Sequence, residues 1–191
     1  MTSFQLITDS TADLPASYYE AQHIVCLPYT FIINESPVLD VPGKTQLSAY
    51  YDSIRNGLLP TTTNINYDAI HSAAAPYLAK GQDVLYVCFS SALTSTYQFA
   101  CLCAQELEKE YPGQRMYVVD SLSASIGQGL IVQRAVAMQQ EGQSAQQIAQ
   151  ALPGYIQTIE HWFMVDSLDH LRRGGRISGT AATIGKALKI K

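Results

Sequence analysis

The apolar residues of this chain come in short runs, separated by segments with helical spacing. Phe4–Thr8 (FQLIT) reads as a strand and Pro15–Gln22 as a short helix with proline in its first turn. Ile24–Ile33 (IVCLPYTFII) is apolar and β-branched. It reads as one strand, which Pro28 bends or confines to an edge. Residues 34–45 are turn-rich, Leu47–Arg55 has the pattern of a helix ending near Gly57, and Pro60–Asn66 (PTTTNIN) reads as a polar loop. Tyr67–Lys80 is a helix that Gly81 closes from the position after its C-cap.

The pattern is sharper further along. Val84–Phe89 (VLYVCF) is almost continuously apolar, as a central strand buried on both faces must be. Thr94–Glu110 follows as a helix, with Tyr97, Cys101, Ala104 and Leu107 on one face. Met116–Val119 is a strand, Ser125–Glu141 a helix, and Gln143–Ile159 a helix interrupted at Pro153–Gly154. Trp162–Val165 (WFMV) reads as a strand, Leu168–Arg173 as a short helix stopped by Gly174–Gly175, and Ser178–Leu188 as a last helix. Strands alternating with helices predict an α/β fold: a three-layer, open, mainly parallel sheet with helices on both faces. We place this domain at residues 1–153. Residues 154–191 are the start of a truncated second domain, an incomplete α/β unit whose apolar faces need partners.

Composition narrows the class. Hydrophobic residues make up 47% and charged residues 15%, with mean hydropathy +0.01, which is core-forming and excludes general disorder. The net charge of −4 argues against nucleic acid as a partner. No apolar run approaches the ~18 residues of a membrane span. The first residues lack the basic start and apolar stretch of a signal peptide, so the expected location is cytoplasmic. Cys26, Cys88, Cys101 and Cys103 follow neither disulfide nor zinc spacing, and we expect reduced thiols, no metal and no cofactor.

One pattern recurs. Four apolar runs end in serine: Ile7-Thr8-Asp9-Ser10, Cys88-Phe89-Ser90-Ser91, Val118-Val119-Asp120-Ser121 and Val165-Asp166-Ser167. Carboxyl ends of parallel strands share one edge, where the following helices begin and ligands bind. Helix-start N–H groups and hydroxyls together suit a carboxylate, a phosphate or a polarised carbonyl. Each serine taken alone is equally an ordinary N-cap. Asp9 and Asp120 are assigned to holding loop N–H groups, because a bare carboxylate would oppose an anionic ligand. Thr61-Thr62-Thr63 adds three hydroxyls, and Arg176 lies just past the Gly174–Gly175 pair as a bidentate donor. Gly127-Gln128-Gly129 lacks the third glycine of a dinucleotide fingerprint and is explained by close packing. Neither a P-loop nor a nucleophile elbow is present. The alternative to ligand binding is a serine-dependent hydrolase or acyltransferase using Ser91 or Ser10, which requires a nearby histidine base.

The motifs Ile7-Thr8-Asp9-Ser10-Thr11-Ala12-Asp13-Leu14-Pro15, Ser90-Ser91-Ala92-Leu93-Thr94-Ser95-Thr96-Tyr97-Gln98, Val119-Asp120-Ser121 with Gly127 and Gly129, and Gly174-Gly175-Arg176-Ile177-Ser178 resemble the DegV family of bacterial fatty-acid-binding proteins. The resemblance covers nearly the whole chain. It implies a two-domain, non-enzymatic carrier that binds a long-chain fatty acid and presents it to a separate ATP-dependent kinase, the fatty-acid kinase catalytic subunit. By position, Thr62 matches the loop threonine that meets the carboxylate, and Ser91 falls in the strand-end serine pair. Leu93, Thr94 and Ser95, with Ser10, supply neighbouring donors. Arg176 matches the arginine associated with the head group and the kinase-facing side. Departures are Thr63-Asn64-Ile65 where the family usually has Ser-Gln-Pro, and Ala92 and Ser95 where it commonly has glycine. Family chains also continue beyond Ile190–Lys191, so part of the acyl pocket is expected to lie outside this sequence.

Overall fold

The most continuous apolar run becomes an inner strand. β6 (Asp83–Cys88) lies between β1 (Phe4–Asp9) and β7 (Met116–Asp120), and β2 (Val25–Leu27) completes a parallel sheet in the order β2-β1-β6-β7. These elements come from a computed structural model that describes residues 4–45, 47–165 and 167–188. Val84 through Cys88 are all 0% exposed, so β6 is covered on both faces and has no polar side to show. Alternation sorts its side chains. Leu85 and Val87 pack with Leu6, Ile131, Ile148 and Leu152. Val84, Tyr86 and Cys88 pack with Ile7, Ile70, Ala100 and Leu107. The first layer is built by α5 (Ile126–Gln140) and α6 (Ala145–Ile156), with α1 (Ala16–Ala21) beside them. The second is built by α3 (Tyr67–Leu78) and α4 (Thr96–Glu110). The three-layer, mainly parallel expectation is met.

The expected single strand over Ile24–Ile33 is two strands in different sheets. After β2 the chain turns at Pro28, which has no N–H. The Tyr29 N–H donates to Ser10 Oγ at 3.1 Å rather than to a ladder. β3 (Thr30–Ile33) then joins an antiparallel sheet, order β4-β3-β5, with β4 (Ser36–Leu39) and β5 (Thr61–Thr63). Both outer strands fall in segments that read as turn and loop. Their residues are exposed throughout, so they carry no hydrophobic alternation to detect. The β3–β4 turn holds Asn34 and Glu35 at φ 48° and 63°, the twin left-handed residues of a tight hairpin. α2 (Leu47–Arg55) follows this hairpin.

Pro153 does not interrupt α6. The helix runs through it, started by a Ser144–Gln147 capping box and held by buried Ile148, Leu152 and Ile156. The chain divides into two compact units between Ile159 and Glu160 rather than at Pro153. In the second unit, the described residues form α7 (Asp169–Arg173) and α8 (Gly179–Ala187). The strand expected at Trp162–Val165 is absent, and Trp162, Phe163 and Met164 are 91%, 77% and 78% exposed. A strand needs a neighbour for its ladder, and the described residues of this unit offer none. The fourth serine-ended run therefore ends no strand, and its Asp166 lies outside the described residues.

Candidate functional site

The parallel register brings the ends of β1, β6 and β7 to one edge, and their acidic and hydroxyl residues bind the loops to one another. Asp9 accepts from the Phe89 N–H at 3.0 Å, and Asp120 accepts from Ser91 N–H at 3.0 Å and Leu122 N–H at 3.1 Å. Both aspartates thus hold loop backbone, as their positions imply. Ser90 N–H donates to Ser123 O at 3.1 Å, and Ser125 N–H to Thr11 O at 2.9 Å, so the turns after β1, β6 and β7 are mutually fixed.

A second polar cluster ties this edge to β5. Tyr29 OH donates to Thr96 Oγ1 at 2.8 Å, Ile65 N–H donates to the same oxygen at 3.2 Å, and Thr94 Oγ1 donates to Asn64 Oδ1 at 2.8 Å. The Thr61–Thr63 strand and the Ser90–Thr96 turn are therefore brought together. Thr62 pairs with Phe31 across β3–β5, and directly opposed residues of an antiparallel pair share a face. Among the described residues no hydrogen bond engages the hydroxyls of Thr62, Ser91 or Ser95.

Beside this edge lies a cleft of about 650 Å³. Its polar lining is Ser10, Thr11, Thr45 and Ser125 with the carboxylates of Asp13 and Asp40, while Leu14, Phe31, Tyr50, Tyr51, Ile54 and Phe89 supply apolar wall. Phe31 and Tyr50 stack at 4.9 Å and also line an apolar groove of about 400 Å³ with Ile33, Val38 and Leu39. The site combines hydroxyls with aromatic and aliphatic walls, a mixed lining that suits an amphiphile with a small polar head. Ser125 stands at φ 52° and ψ −131° at the start of α5, a backbone that L-residues avoid.

Burial dominates the titrations here. It pushes the Asp9 carboxyl up, against hydrogen bonds from Thr11, Gln128 and Phe89 that pull it down. The Tyr29 and Tyr86 phenols and the Cys88 thiol also stand above their ordinary values because they are desolvated.

Of the expected site residues, Ser10 lines the cleft, Thr62 shares the face of a cleft residue, and Ser91, Leu93, Thr94 and Ser95 form the adjoining turn. Arg176 belongs to the second unit, where its Nη1 donates to Gly174 O at 2.5 Å. Gln128 went unnoticed as a polar group. The Gly-Gln-Gly segment was legible only as tight packing, and that part holds: a Cβ on Gly129 would come within 2.7 Å of Ala12 O. The apolar wall from β3 and α2 had no sequence signal beyond scattered aromatics. No histidine hydrogen-bonds Ser10 or Ser91 among the described residues, and His71 is engaged with Glu110 at 3.0 Å. No helix in them is long and apolar enough to cross a membrane.

Comparison with known proteins accords with this architecture. A DegV domain-containing protein of Clostridium perfringens is 38% identical over 192 residues, covering 100% of this chain and 66% of the relative. A DegV family protein from Thermus thermophilus, whose structure is described as showing fatty acid binding, has 31% identity and TM-score 0.81 over 95% of this chain and 63% of that one. The fatty acid binding DegV family protein of Streptococcus agalactiae has 26% identity and TM-score 0.82 over 97% and 65%. This chain thus spans a little under two thirds of their lengths. The profile of the DegV family, described as uncharacterised proteins, matches residues 3–191, and the chain belongs to that family.

Proposed function

We propose that this chain binds a long-chain fatty acid, with the carboxylate at the hydroxyl-rich strand ends and the acyl chain along the apolar cleft. The observation that carries the reading is the mixed lining of the cleft, with Ser10, Thr11 and Ser125 among its polar residues and Phe31, Tyr50, Tyr51 and Ile54 along its wall. Its volume of about 650 Å³ falls within the usual range for small-molecule sites. In this reading the hydroxyls of Thr62 and Ser91 and the donors of the Leu93–Ser95 turn also serve the head group, supported by the pairing of Thr62 with the cleft residue Phe31. Each buried methylene contributes about 0.8 kcal/mol, so the tail dominates affinity and the head sets orientation. The fatty-acid binding recorded for the Thermus and Streptococcus relatives supports this reading.

In the same proposal the protein is a carrier, not an enzyme. It presents the bound acid to a separate ATP-dependent kinase subunit, and the Gly174-Gly175-Arg176 loop serves the head group and that partner. In this reading the residues after α6 belong to a second domain, and the protein works in the cytoplasm. Native mass spectrometry of protein made in a bacterial host tests the ligand class: a bound C16–C18 acid is expected. Protein that is empty and also fails to bind added palmitate or oleate overturns the reading. Pull-down with the kinase subunit tests the partner, with capture expected from the wild type and reduced for Arg176→Ala. Equal capture by both refutes the assigned role of the loop.

A further inference from the structure

Asp9 is fully buried, and its partners are hydroxyls, an amide and the backbone N–H groups of Phe89 and Thr11. Gln128 Nε2 lies 2.9 Å from Asp9 Oδ1 and 3.3 Å from Thr8 Oγ1. Thr11 Oγ1 lies 2.8 Å from Gln128 Oε1 and also contacts Asp9 Oδ1. The Thr8 hydroxyl proton is committed to Val87 O at 2.8 Å. Thr11 therefore faces two acceptors with one proton.

If Asp9 were ionised, one of the two Thr11 contacts would pair bare oxygens at a partly buried site against the fully buried Asp9 carboxylate, which is unfavourable. Turning the Gln128 amide over does not remove the deficit. Its Oε1 would then face Asp9 Oδ1, and a proton would again be needed between them. Both orientations close only with a proton on Asp9. In the first, Oδ1–H donates to Thr11 Oγ1, Thr11 donates to Gln128 Oε1, and Gln128 Nε2 donates to Oδ1 and Thr8. The other carboxyl oxygen, Oδ2, accepts from Phe89 N–H at 3.0 Å and Tyr86 OH at 3.4 Å.

We propose that Asp9 is a neutral carboxylic acid at physiological pH, and that in this form it is the positioning residue for the polar rim of the cleft. Burial independently favours the uncharged form. The titratable groups that feel its charge are Tyr19 on α1, Cys26 on β2, Tyr29 after β2, and Tyr86 and Cys88 on β6. All five are held neutral by burial, Cys26 at about 12, and neither tyrosine nor cysteine has a cationic form, so none of them counters an anionic Asp9. Through its bonds Asp9 fixes Thr11 and Phe89, both of which line the cleft, and as a neutral acid it adds no further charge to those of Asp13 and Asp40, which also line it. Ionisation would break this closure and repel an acidic head group. The coupling to ligand rests on the fatty-acid reading. The proton assignment does not.

The test is carboxyl carbon NMR on protein labelled at aspartate, with the Asp9 signal identified by its loss in Asp9→Asn. At pH 7 Asp9 should resonate as a neutral acid, and a carboxylate shift there overturns the proposal. Should Asp9→Asn fail to fold, Thr11→Val identifies the signal by moving it. The linkage sign is set by the raised carboxyl: the neutral acid's contribution is full in acid and is lost as pH rises toward the folded-state titration. Asparagine cannot ionise, and with Gln128 turned over its Nδ2 donates to Gln128 Oε1 and Thr11 Oγ1, so the variant loses the Thr11 O–H acceptor at every pH but carries no titration of its own. The stability of Asp9→Asn relative to wild type, from urea unfolding, should therefore rise by about tenfold in the folded-to-unfolded ratio per pH unit above the ordinary carboxylate range. A flat difference overturns the proposal. Palmitate titrations against pH read the coupling, since the difference between the two proteins cancels palmitate's own ionisation. Wild-type affinity should fall in the alkaline range while Asp9→Asn holds steady. Parallel profiles overturn the positioning role. Absence of binding in both overturns the ligand reading and leaves the NMR result standing.

Discussion

Two sheets in one folded unit are held in different ways. The parallel sheet is covered on both faces, and β6 contributes residues with no exposure to either layer of helices. The antiparallel sheet is three short strands whose outer members, Ser36–Leu39 and Thr61–Thr63, are exposed along their length. Burial builds the first, while hydrogen bonding and a tight turn build the second. The functional cleft takes its rim from the buried sheet's loops and much of its wall from β3 and α2. A rigid polar rim thus meets an apolar wall that owes little to the main core. Under the proposed fatty-acid reading, that division lets the apolar wall vary without touching the scaffold that positions the polar rim.

The sharpest way to break this contrast is to remove the same chemistry from each sheet. Leu85→Ala, at the centre of β6, should lose about 2–5 kcal/mol in urea unfolding, whereas Val38→Ala on the exposed strand should change stability by less than about 0.5 kcal/mol. Similar losses would show that the two sheets share one core. Phe31→Ala should act on the ligand rather than on the fold. Palmitate affinity should fall by about 1.5–3 kcal/mol, with a small shift in the urea midpoint. Comparable losses in both would make Phe31 a core residue instead of a wall.

Gly129→Ala tests the rigidity of the rim, because the added Cβ meets Ala12 O at 2.7 Å beside the Ser10–Ala12 turn. A loss of about 1–3 kcal/mol in stability is expected, together with weaker palmitate binding. An unchanged protein would mean that the turn gives way freely. The smallest effect belongs to the hairpin. Glu35 holds φ 63° where glycine is preferred, so Glu35→Gly should raise stability by about 1 kcal/mol, read as an upward shift in the urea midpoint. A loss there would show that the Glu35 side chain supports the sheet.

Residues explain which parts of this were legible. Val84–Cys88 announced a central strand because burial on both faces leaves an unbroken apolar run, and such a run survives in one dimension. Asp9 and Asp120 were readable as loop anchors because a strand-end carboxylate needs N–H donors, although the partners themselves, Phe89 and Ser91, come from the loop of a neighbouring strand. Thr61–Thr63 was taken for a loop and Ile24–Ile33 for a single strand, since pairing with β3 and the change of sheet at Pro28 leave no periodic trace. Trp162–Val165 looked like a strand from composition alone, but a ladder needs a partner.

Local and periodic chemistry was enough to establish the parallel α/β class, the helices around it and the hydroxyl-bearing strand ends, because these depend on the order of apolar and polar residues. The second sheet, the cleft wall of Phe31, Tyr50 and Tyr51, and the Thr8–Asp9–Thr11–Gln128 network were decided by tertiary contact. Gln128 meets Asp9 only because α5 packs against the end of β1, bringing together residues 119 positions apart in the chain, and proximity of that kind is set by three-dimensional packing rather than by any spacing along the sequence.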